Sequence, residues 1–284
     1  MNTSTKARYI AWAARGWLGA DRSCPACGSP RTRLLKRKHL VTALFRCDTC
    51  GLMFRMPKGS QLEDQSFYQR EYQQGGTTDL PDPSELVELQ RLSFAPIGRD
   101  YSGYIEVLRA LGVPPGATVY DYGASWGYGS WQFAQAGYRV YSYELSQPRA
   151  RFAEQYLGCQ VVADPRAIPE RVDCFFASHV LEHLAQPGAL WQLAAETVRP
   201  DGVVVLFMPN GEPGCEVRDP ERYHQLWGRV HPLLLTSASV AAMAAPHCFD
   251  TLAYSSPFDL ERVAARCPGL LDGDELLVVA RPRT

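Results

Sequence analysis

The chain has 284 residues, 46% hydrophobic and 21% charged, with a formal net charge of −1 at pH 7. This length accommodates one large globular domain and a small one, and so small a charge gives no overall attraction to nucleic acids or acidic membranes. No apolar run approaches the roughly 18 residues that a membrane-spanning helix needs.

Nine cysteines occur in a chain whose N-terminal segment lacks the long apolar core of a signal peptide. Reduced thiols and metal ligands are therefore favoured over disulfides, and we expect a cytoplasmic protein. Residues 6–18 are basic and aromatic. They fit a short helix packed on the body of the protein or on a second subunit, as in a homodimer, or a helix lying on a membrane surface.

Two Cys-x-x-Cys pairs follow, Cys24 with Cys27 and Cys47 with Cys50, and nineteen residues separate them. Four thiolates on two such turns suit tetrahedral Zn²⁺, so the spacing predicts a structural zinc site. The intervening residues 34–45 alternate well enough for the hairpin of a small zinc ribbon. A redox-active dithiol pair is the alternative.

The ribbon segment carries a basic run over residues 31–38, which suits either phosphate contacts or a solvated strand face. Residues 57–83 are polar and loop-like, with an aromatic pattern that suggests an active-site lid, formed by Phe67, Tyr68 and Tyr72. Ser84 is the expected N-cap of a helical stretch over residues 84–111, broken near Pro96.

Strands and helices alternate over the rest of the chain. The expected strands are residues 118–121, 139–144, 159–163, 171–177, 203–208, 249–255 and 275–280. The expected helices include residues 147–157, 189–198 and 236–245. This alternation predicts an α/β fold with a doubly wound, mostly parallel sheet and right-handed crossovers.

The first of these strands ends on Asp121 and leads into a glycine cluster, Gly123, Gly127 and Gly129, while the second ends on Glu144. Glycines let the backbone turn sharply before a helix N-terminus, and an acid at the tip of the second strand can accept hydrogen bonds from a ribose diol. The glycine order differs from the dinucleotide-binding fingerprint. The pattern predicts a nucleotide-type site, and a ligand-free tight turn is the alternative.

Asp121-Tyr122-Gly123 through Gly127, with Glu144 further on, resembles the first motifs of class I S-adenosylmethionine-dependent methyltransferases. Residues 178–184, which contain L-E-H, and residues 198–210 resemble later segments of the same family. The resemblance covers roughly residues 101–254. With the cysteine pairs and the aromatic lead-in, the chain most resembles zinc-ribbon-bearing methyltransferases that modify sugars and other small metabolites.

The resemblance implies a Rossmann-like methyltransferase core at residues 113–284, after an N-terminal helix (1–20), a zinc ribbon (21–57) and a lid and helical connection (58–112). It also implies an S-adenosylmethionine site formed by Asp121, Gly123, Ala124, Gly127, Glu144, Leu145, Asp164 and His179, with Tyr72 from the lead-in.

The expected reaction is O-methylation of a small hydroxylated acceptor. A hydroxyl nucleophile needs a base, and the candidates are His183, His231 and His179, of which His183 is the first choice because it follows a strand at the ligand-binding edge. N- or C-methylation remains open, as does methylation or binding of RNA or protein through the ribbon.

His179, Glu182 and His183 also have the spacing that clusters metal donors on one helical turn. Some ubiquinone-pathway O-methyltransferases look similar here, with an acid in place of His179. A second metal at these three residues is therefore a further hypothesis.

Overall fold

The computed structural model describes residues 3–18, 20–38, 40–59 and 79–283. They form a small antiparallel sheet near the N-terminus and a seven-stranded sheet covered by helices. Within these ranges, no helix has both the length and the apolar character to cross a membrane. The predicted lid, with Phe67, Tyr68 and Tyr72, lies outside the described residues.

The N-terminal part starts with helix α1 (Thr3–Gly16) and strands β1 (Thr32–Lys38), β2 (Thr42–Cys47) and β3 (Met53–Met56). The hairpin expected from the sequence is present as β1 and β2. A fourth strand, β9 (Leu233–Leu234), comes from the distant C-terminal half and pairs with β3. We call the four-stranded sheet β1-β2-β3-β9 the ribbon sheet.

Helix α1 packs on the ribbon sheet through its apolar face. Ala13 is fully buried, and the Trp17 ring lies 6.3 Å from that of Phe45. The Trp17 indole N–H also donates to the carbonyl of Val41 at 2.7 Å. The basic and aromatic N-terminal segment therefore packs within the same chain through Trp17, directly after α1.

In the described part of the connection between the ribbon and the core lie two helices, α2 (Pro83–Arg91) and α3 (Ser102–Ala110), with a 3₁₀ turn at Ala95–Ile97 between them. The N-cap of α2 is Asp82, whose side chain accepts the N–H of Ser84 at 2.8 Å. The expectation that Ser84 caps this helix is therefore wrong. Proline is well suited to the first helical position, which moves the cap one residue before it.

The large sheet has the order β10-β11-β8-β7-β4-β5-β6. Its strands are β4 (Thr118–Tyr122), β5 (Arg139–Tyr143), β6 (Gln160–Val161), β7 (Val172–Ser178), β8 (Val198–Pro209), β10 (Phe249–Ser255) and β11 (Glu275–Pro282). Strands β8, β7, β4, β5 and β6 are parallel, and β11 is antiparallel to both its neighbours. The predicted α/β fold with a mostly parallel, doubly wound sheet is confirmed.

The helices after β4 are α4 (Tyr128–Gln135), α5 (Gln147–Leu157), α6 (Gly188–Thr197), α7 (Pro213–Arg218), α8 (Pro220–Gln225), α9 (Ser237–Ala244) and α10 (Leu260–Ala264). Apolar side chains of both sheet faces are buried beneath them. Phe175 contributes to one core cluster and Phe176 to the other, as expected for a strand with both faces covered.

Two strand boundaries differ from the sequence expectation. Strand β6 is shorter than residues 159–163, and β8 begins at Val198 instead of residue 203. Pairing with β7 jumps from Val172–Val198 to Cys174–Val203, so residues 199–202 form an irregular insertion in the strand. An Arg-Pro-Asp-Gly turn is compatible with this because the inserted residues leave the hydrogen-bonded register.

Successive crossovers run outward in opposite directions from β4 and β7, which lie side by side at the centre of the sheet. The carboxyl ends of these two strands define the switch point where doubly wound sheets bind their ligands. Asp121 is near the end of β4, and His179 follows β7 directly. The candidate site therefore lies at this edge.

Candidate active site

The glycine turn after β4 is built from residues with positive φ. Gly123 has φ +89° and Gly127 has φ +91°, and Gly127 is the N-cap of α4. A Cβ on Gly123 would collide with the side chain of Val180, which follows β7. The turn thus needs glycine both for its conformation and for the close approach of the two central strand ends.

Asp121 lies beneath this turn and is 3% exposed. Its carboxylate accepts the hydroxyl hydrogen of Ser130 at 2.6 Å, and Ser130 is in turn 2.8 Å from the hydroxyl of Ser142. Burial raises the pKa of Asp121 to about 6, partly offset by the Ser130 bond. Asp121 therefore connects β4 with α4 and β5 and sets the position of the turn.

Glu144 follows β5 and closes the other side of the turn. Its carboxylate accepts two backbone N–H bonds, from Ser125 at 2.9 Å and from Ser146 at 2.7 Å. Burial raises its pKa to about 7 despite these bonds. An ionised carboxylate has about four acceptor positions, so one on each oxygen remains for a ribose diol. The residues present therefore fit the predicted role in holding S-adenosylmethionine.

The other predicted cofactor residues lie along the same edge. Ala124 is buried inside the turn, Leu145 is half-buried next to Glu144, and the peptide N–H of Ala124 donates to the carbonyl of Tyr143. Asp164 is exposed, and its carboxylate accepts the N–H of Arg166 at 2.9 Å. Their contact with a cofactor remains a prediction.

His183 and His231 face each other, with ring centroids 4.7 Å apart. His183 ends a 3₁₀ turn (Leu181–His183) after β7, and its Nδ1 is 2.8 Å from the carbonyl oxygen of Val230. His231 Nδ1 is 3.2 Å from the carbonyl oxygen of Leu226. Only the N–H tautomer can donate to a carbonyl, so each ring has its proton on Nδ1 and its lone pair on Nε2 when neutral.

Glu182 lies beside the two histidines and is 2% exposed, and its Oε2 atom is buried without a hydrogen-bond partner. Burial alone would raise its pKa, but the bond with His179 and the nearby His183 hold the pKa below its ordinary value. Burial and the neighbouring His183 lower the pKa of His231. At neutral pH the cluster thus combines a carboxylate with a neutral His231.

His179, the third histidine candidate, is held between two carboxylates. Its Nδ1 is 3.2 Å from Glu182 Oε1 and its Nε2 is 2.8 Å from Glu275 Oε1. Burial alone would lower its pKa, but these bonds outweigh it and raise the pKa to about 10. His179 is therefore a poor general base at neutral pH, because it is already protonated.

The set of possible metal donors in the structure differs from the three residues expected from the sequence, His179, Glu182 and His183. Donor atoms of Glu182, His183 and His231 lie within 4.8 Å of one another, and His179 is not among them. His231 takes the third place because β9 brings the 226–232 segment back to the site. The sequence spacing identified two of the three members of this cluster.

Sequence reasoning missed Glu275 and Tyr104. The Tyr104 hydroxyl donates to Glu275 Oε1 at 2.6 Å, and burial raises the pKa of that hydroxyl. Glu275 starts β11, which brings it to the carboxyl edge beside β8 although 96 residues separate it from His179. Strand β11 runs antiparallel to β8, which reverses the end of the strand that reaches the site, and no sequence pattern indicated this direction.

A cleft of about 630 Å³ opens between the end of β10 and the start of β11. Arg218 and Arg222 line it and pair with Asp274. The cleft lies at the start of β11, and none of the residues that line it belongs to the glycine turn.

The four predicted zinc ligands are together at the end of the ribbon sheet. The Sγ atoms of Cys24 and Cys50 are 3.5 Å apart, and those of Cys27 and Cys47 are 3.6 Å apart. Tetrahedral Zn²⁺ with bonds of about 2.3 Å would place its sulfurs roughly 3.8 Å apart. The donor set and its spacing therefore fit zinc.

Residues 120–206 match the family model described as "Methyltransferase domain". They extend from β4 into β8 and include the glycine turn, Glu144 and His183. This match identifies a methyltransferase domain in the chain and supports methyltransferase activity.

The chain is similar to several solved structures. A TehB-like SAM-dependent methyltransferase from Corynebacterium glutamicum has 18% identity and a TM-score of 0.49, covering 70% of this chain and 98% of that one. The magnesium protoporphyrin IX methyltransferase ChlM from Synechocystis PCC 6803 has 16% identity and a TM-score of 0.49, covering 79% and 100%. A possible histamine N-methyltransferase from Thermotoga maritima has 12% identity and a TM-score of 0.48, covering 71% and 98%. A comparison with curated proteins finds no match.

Proposed function

We propose that the protein methylates a hydroxyl oxygen of a small molecule, such as a sugar or a natural-product intermediate. The observation that supports this most is the pair His183 and His231, whose rings are 4.7 Å apart at the cofactor edge of the sheet. An oxygen nucleophile needs a proton acceptor, which an amine that is already neutral does not. A buried carboxylate beside the pair, Glu182, can stabilise the imidazolium that forms.

Bound S-adenosylmethionine supplies an electrophilic methyl group on a sulfonium, so alignment is the main contribution of the protein. Glu144 would accept the ribose hydroxyls, and the turn at Gly123 would bring backbone close to the cofactor. His183, on the segment that leaves β7, would take the acceptor proton at Nε2 while its Nδ1–H stays on the carbonyl of Val230. His231 would orient the acceptor on the opposite side.

The test compares His183→Ala with His231→Ala in steady-state kinetics, after a screen of hydroxylated sugars and phenols for release of S-adenosylhomocysteine. Loss of a base should reduce kcat by about 10²–10⁴-fold with cofactor affinity unchanged, whereas loss of an orienting residue should act mainly on the acceptor KM. A wild-type rate for His183→Ala with an inactive His231→Ala reverses the two roles. Activity in both variants contradicts O-methylation by a histidine base and favours an amine or carbon acceptor.

A divalent cation at Glu182, His183 and His231 is a second candidate, favoured by the unpartnered Oε2 atom of Glu182. Both histidines direct Nδ1 to a backbone carbonyl, as metal-ligating histidines commonly do. Such an ion would lower the pKa of a bound hydroxyl in place of a histidine base. Dialysis against a chelator that leaves the cysteine zinc in place would abolish activity in this case and leave it intact in the first.

We propose further that Cys24, Cys27, Cys47 and Cys50 hold one structural Zn²⁺ and that the protein works in a reducing compartment such as the cytoplasm. The spacing of the four sulfurs supports the zinc, and none of the nine cysteines, all of which are among the described residues, forms a disulfide. Zinc–thiolate sites of this kind stabilise folding through binding itself.

A macromolecular acceptor recognised by the basic run of β1 is the remaining alternative. The structure gives part of this run an internal use: Lys36 pairs with Glu216, and Lys38 donates to the carbonyls of His224 and Trp227. These contacts support a role in packing. Salt-sensitive RNA binding that is lost on Arg33→Ala would favour the alternative.

A further inference from the structure

The segment that carries His231 is held by the ribbon sheet. Strand β9 follows His231 by two residues and pairs with β3, and the backbone N–H of Arg55 in β3 donates to the carbonyl of Pro232 at 2.7 Å. Residues 226–232, which we call the histidine loop, thus continue directly into an edge of the ribbon sheet.

The side chain of Arg55 reaches the same loop. It is 3% exposed, and its Nη1 donates to the carbonyls of Gly228 at 3.2 Å and Arg229 at 3.0 Å. Its Nε donates to the carbonyl of Pro57 at 3.2 Å, and its guanidinium carbon lies 4.9 Å from the centre of the Trp12 ring. One planar group therefore joins helix α1, strand β3 and the loop.

The two carbonyls that Arg55 holds, of Gly228 and Arg229, lie shortly before His231 in the same loop. Gly228 N–H donates to the carbonyl of His231 at 2.9 Å, so residues 228–231 form one turn. The residue before His231, Val230, provides the carbonyl that accepts His183 Nδ1–H. A shift of this turn would move His231 and release the fixed tautomer of His183 together.

We propose that Arg55 is a positioning residue for the active site and that the ribbon sheet, through it, places His231 opposite His183. The inference rests on the proposed function only in taking this pair as the acceptor site. Lys38 supports the preceding part of the loop by donating to the carbonyls of His224 and Trp227. The ribbon sheet is thus part of the catalytic apparatus, because without it the histidine loop loses its contacts with Arg55 and Lys38.

The experiment follows the histidine rings by NMR in protein labelled at the imidazole carbons, because six histidines give few signals. His231→Gln and His183→Gln identify the two relevant signals, and His247, at the opposite edge of the sheet, is the internal reference. Arg55→Met removes the guanidinium at similar length, Arg55→Lys retains the charge, and Arg33→Met neutralises an exposed arginine on the same sheet as a matched control. Zinc content and S-adenosylhomocysteine affinity are measured on each.

In Arg55→Met the NMR signals of His231 and His183 should move, because the loop carbonyls that fix the two rings lose the guanidinium that holds them. Arg55→Lys should restore part of the wild-type signal positions, and Arg33→Met should keep all of them. Zinc content should be unchanged and S-adenosylhomocysteine affinity should stay within about twofold, since Arg55 does not contact the glycine turn.

Unchanged signals for both histidines in zinc-loaded Arg55→Met would overturn the proposal, because the loop would then keep its position without Arg55. So would a general change that includes His247 and cofactor affinity, which would make Arg55 a determinant of overall folding. None of these readouts requires methyl transfer, so an amine acceptor would contradict the proposed function and leave this result standing.

Discussion

The elevated pKa of Glu144 predicts that cofactor binding depends on pH. Burial raises the pKa of this carboxyl to about 7, and two backbone N–H bonds fix its orientation. Ribose hydroxyls would bond best to the ionised form, so binding lowers the pKa and releases a proton where the free protein is still protonated. The affinity for S-adenosylhomocysteine should therefore rise as pH increases towards 7, by at most about tenfold per pH unit, and then level off.

Neutralising Glu144 shows how much its charge contributes to the affinity for S-adenosylhomocysteine. Hydrogen bonds to a charged group contribute about 1.5–3 kcal/mol, so Glu144→Gln should weaken binding by roughly 10- to 150-fold at pH 8. At pH 5.5 the loss should be smaller, because wild-type Glu144 is then largely protonated. Glu144→Ala should be more severe, since it also leaves the N–H groups of Ser125 and Ser146 without their acceptor.

The assay is isothermal calorimetry at several pH values, in buffers of different ionisation enthalpy so that proton release appears as a buffer-dependent heat. Glu154→Gln, on the exposed face of α5, is the control for loss of a nearby charge. A pH dependence that persists in Glu144→Gln would belong to another group, such as Asp121, whose pKa burial raises to about 6. Equal wild-type affinity at pH 5.5 and 8, without proton release, would refute the reasoning.

Three other predictions concern the ribbon, the histidine edge and the turn. Cys47→Ser should reduce bound zinc and thermal stability, and elemental analysis showing a full equivalent would contradict the four-thiolate site. The pKa of His179 is raised from 6.5 to about 10, so the stability it contributes is full below pH 6.5 and is lost as pH rises through 10. His179→Gln should therefore flatten the decline in melting temperature between pH 7 and 10, and an unchanged profile would exclude a folded-state imidazolium. Gly123→Ala should destabilise the fold by about 1–3 kcal/mol in urea titrations, and Val180→Ala should recover only the steric part, because the positive φ remains.

Local patterns predicted the core well, because each strand and turn there is determined by adjacent residues. The apolar runs gave the strands, and the rule that parallel strands present their carboxyl ends at one edge placed Asp121, Glu144 and His183 together. The predicted starts of α2 and β8 were wrong for local reasons that the hydrophobic pattern does not show. Asp82 caps α2 because the proline after it begins the helix, and residues 199–202 belong to β8 as an insertion that no hydrophobic pattern shows.

The candidate catalytic cluster was harder to predict because its members come from distant segments. His231 reaches His183 only because a two-residue strand, too short to have a sequence pattern, joins the ribbon sheet. Glu275 reaches His179 only because β11 runs antiparallel to β8. Pairings of this kind depend on tertiary register, which a single sequence does not reveal.

The two-residue strand β9 also has a consequence for synthesis of the chain. The four predicted zinc ligands have all been synthesised once the chain reaches residue 50. Arg55 and its partner in the histidine loop, Arg229, are 174 residues apart. At about 5–20 residues per second, the edge of β3 waits on the order of ten to thirty seconds for its partner. During that time the nascent chain exposes the unpaired edge of β3 and the side chain of Arg55, which is buried in the folded protein. Ribosome-bound chains that stop before residue 226 should therefore associate with one another, or with a holding chaperone, more than chains that extend past residue 235.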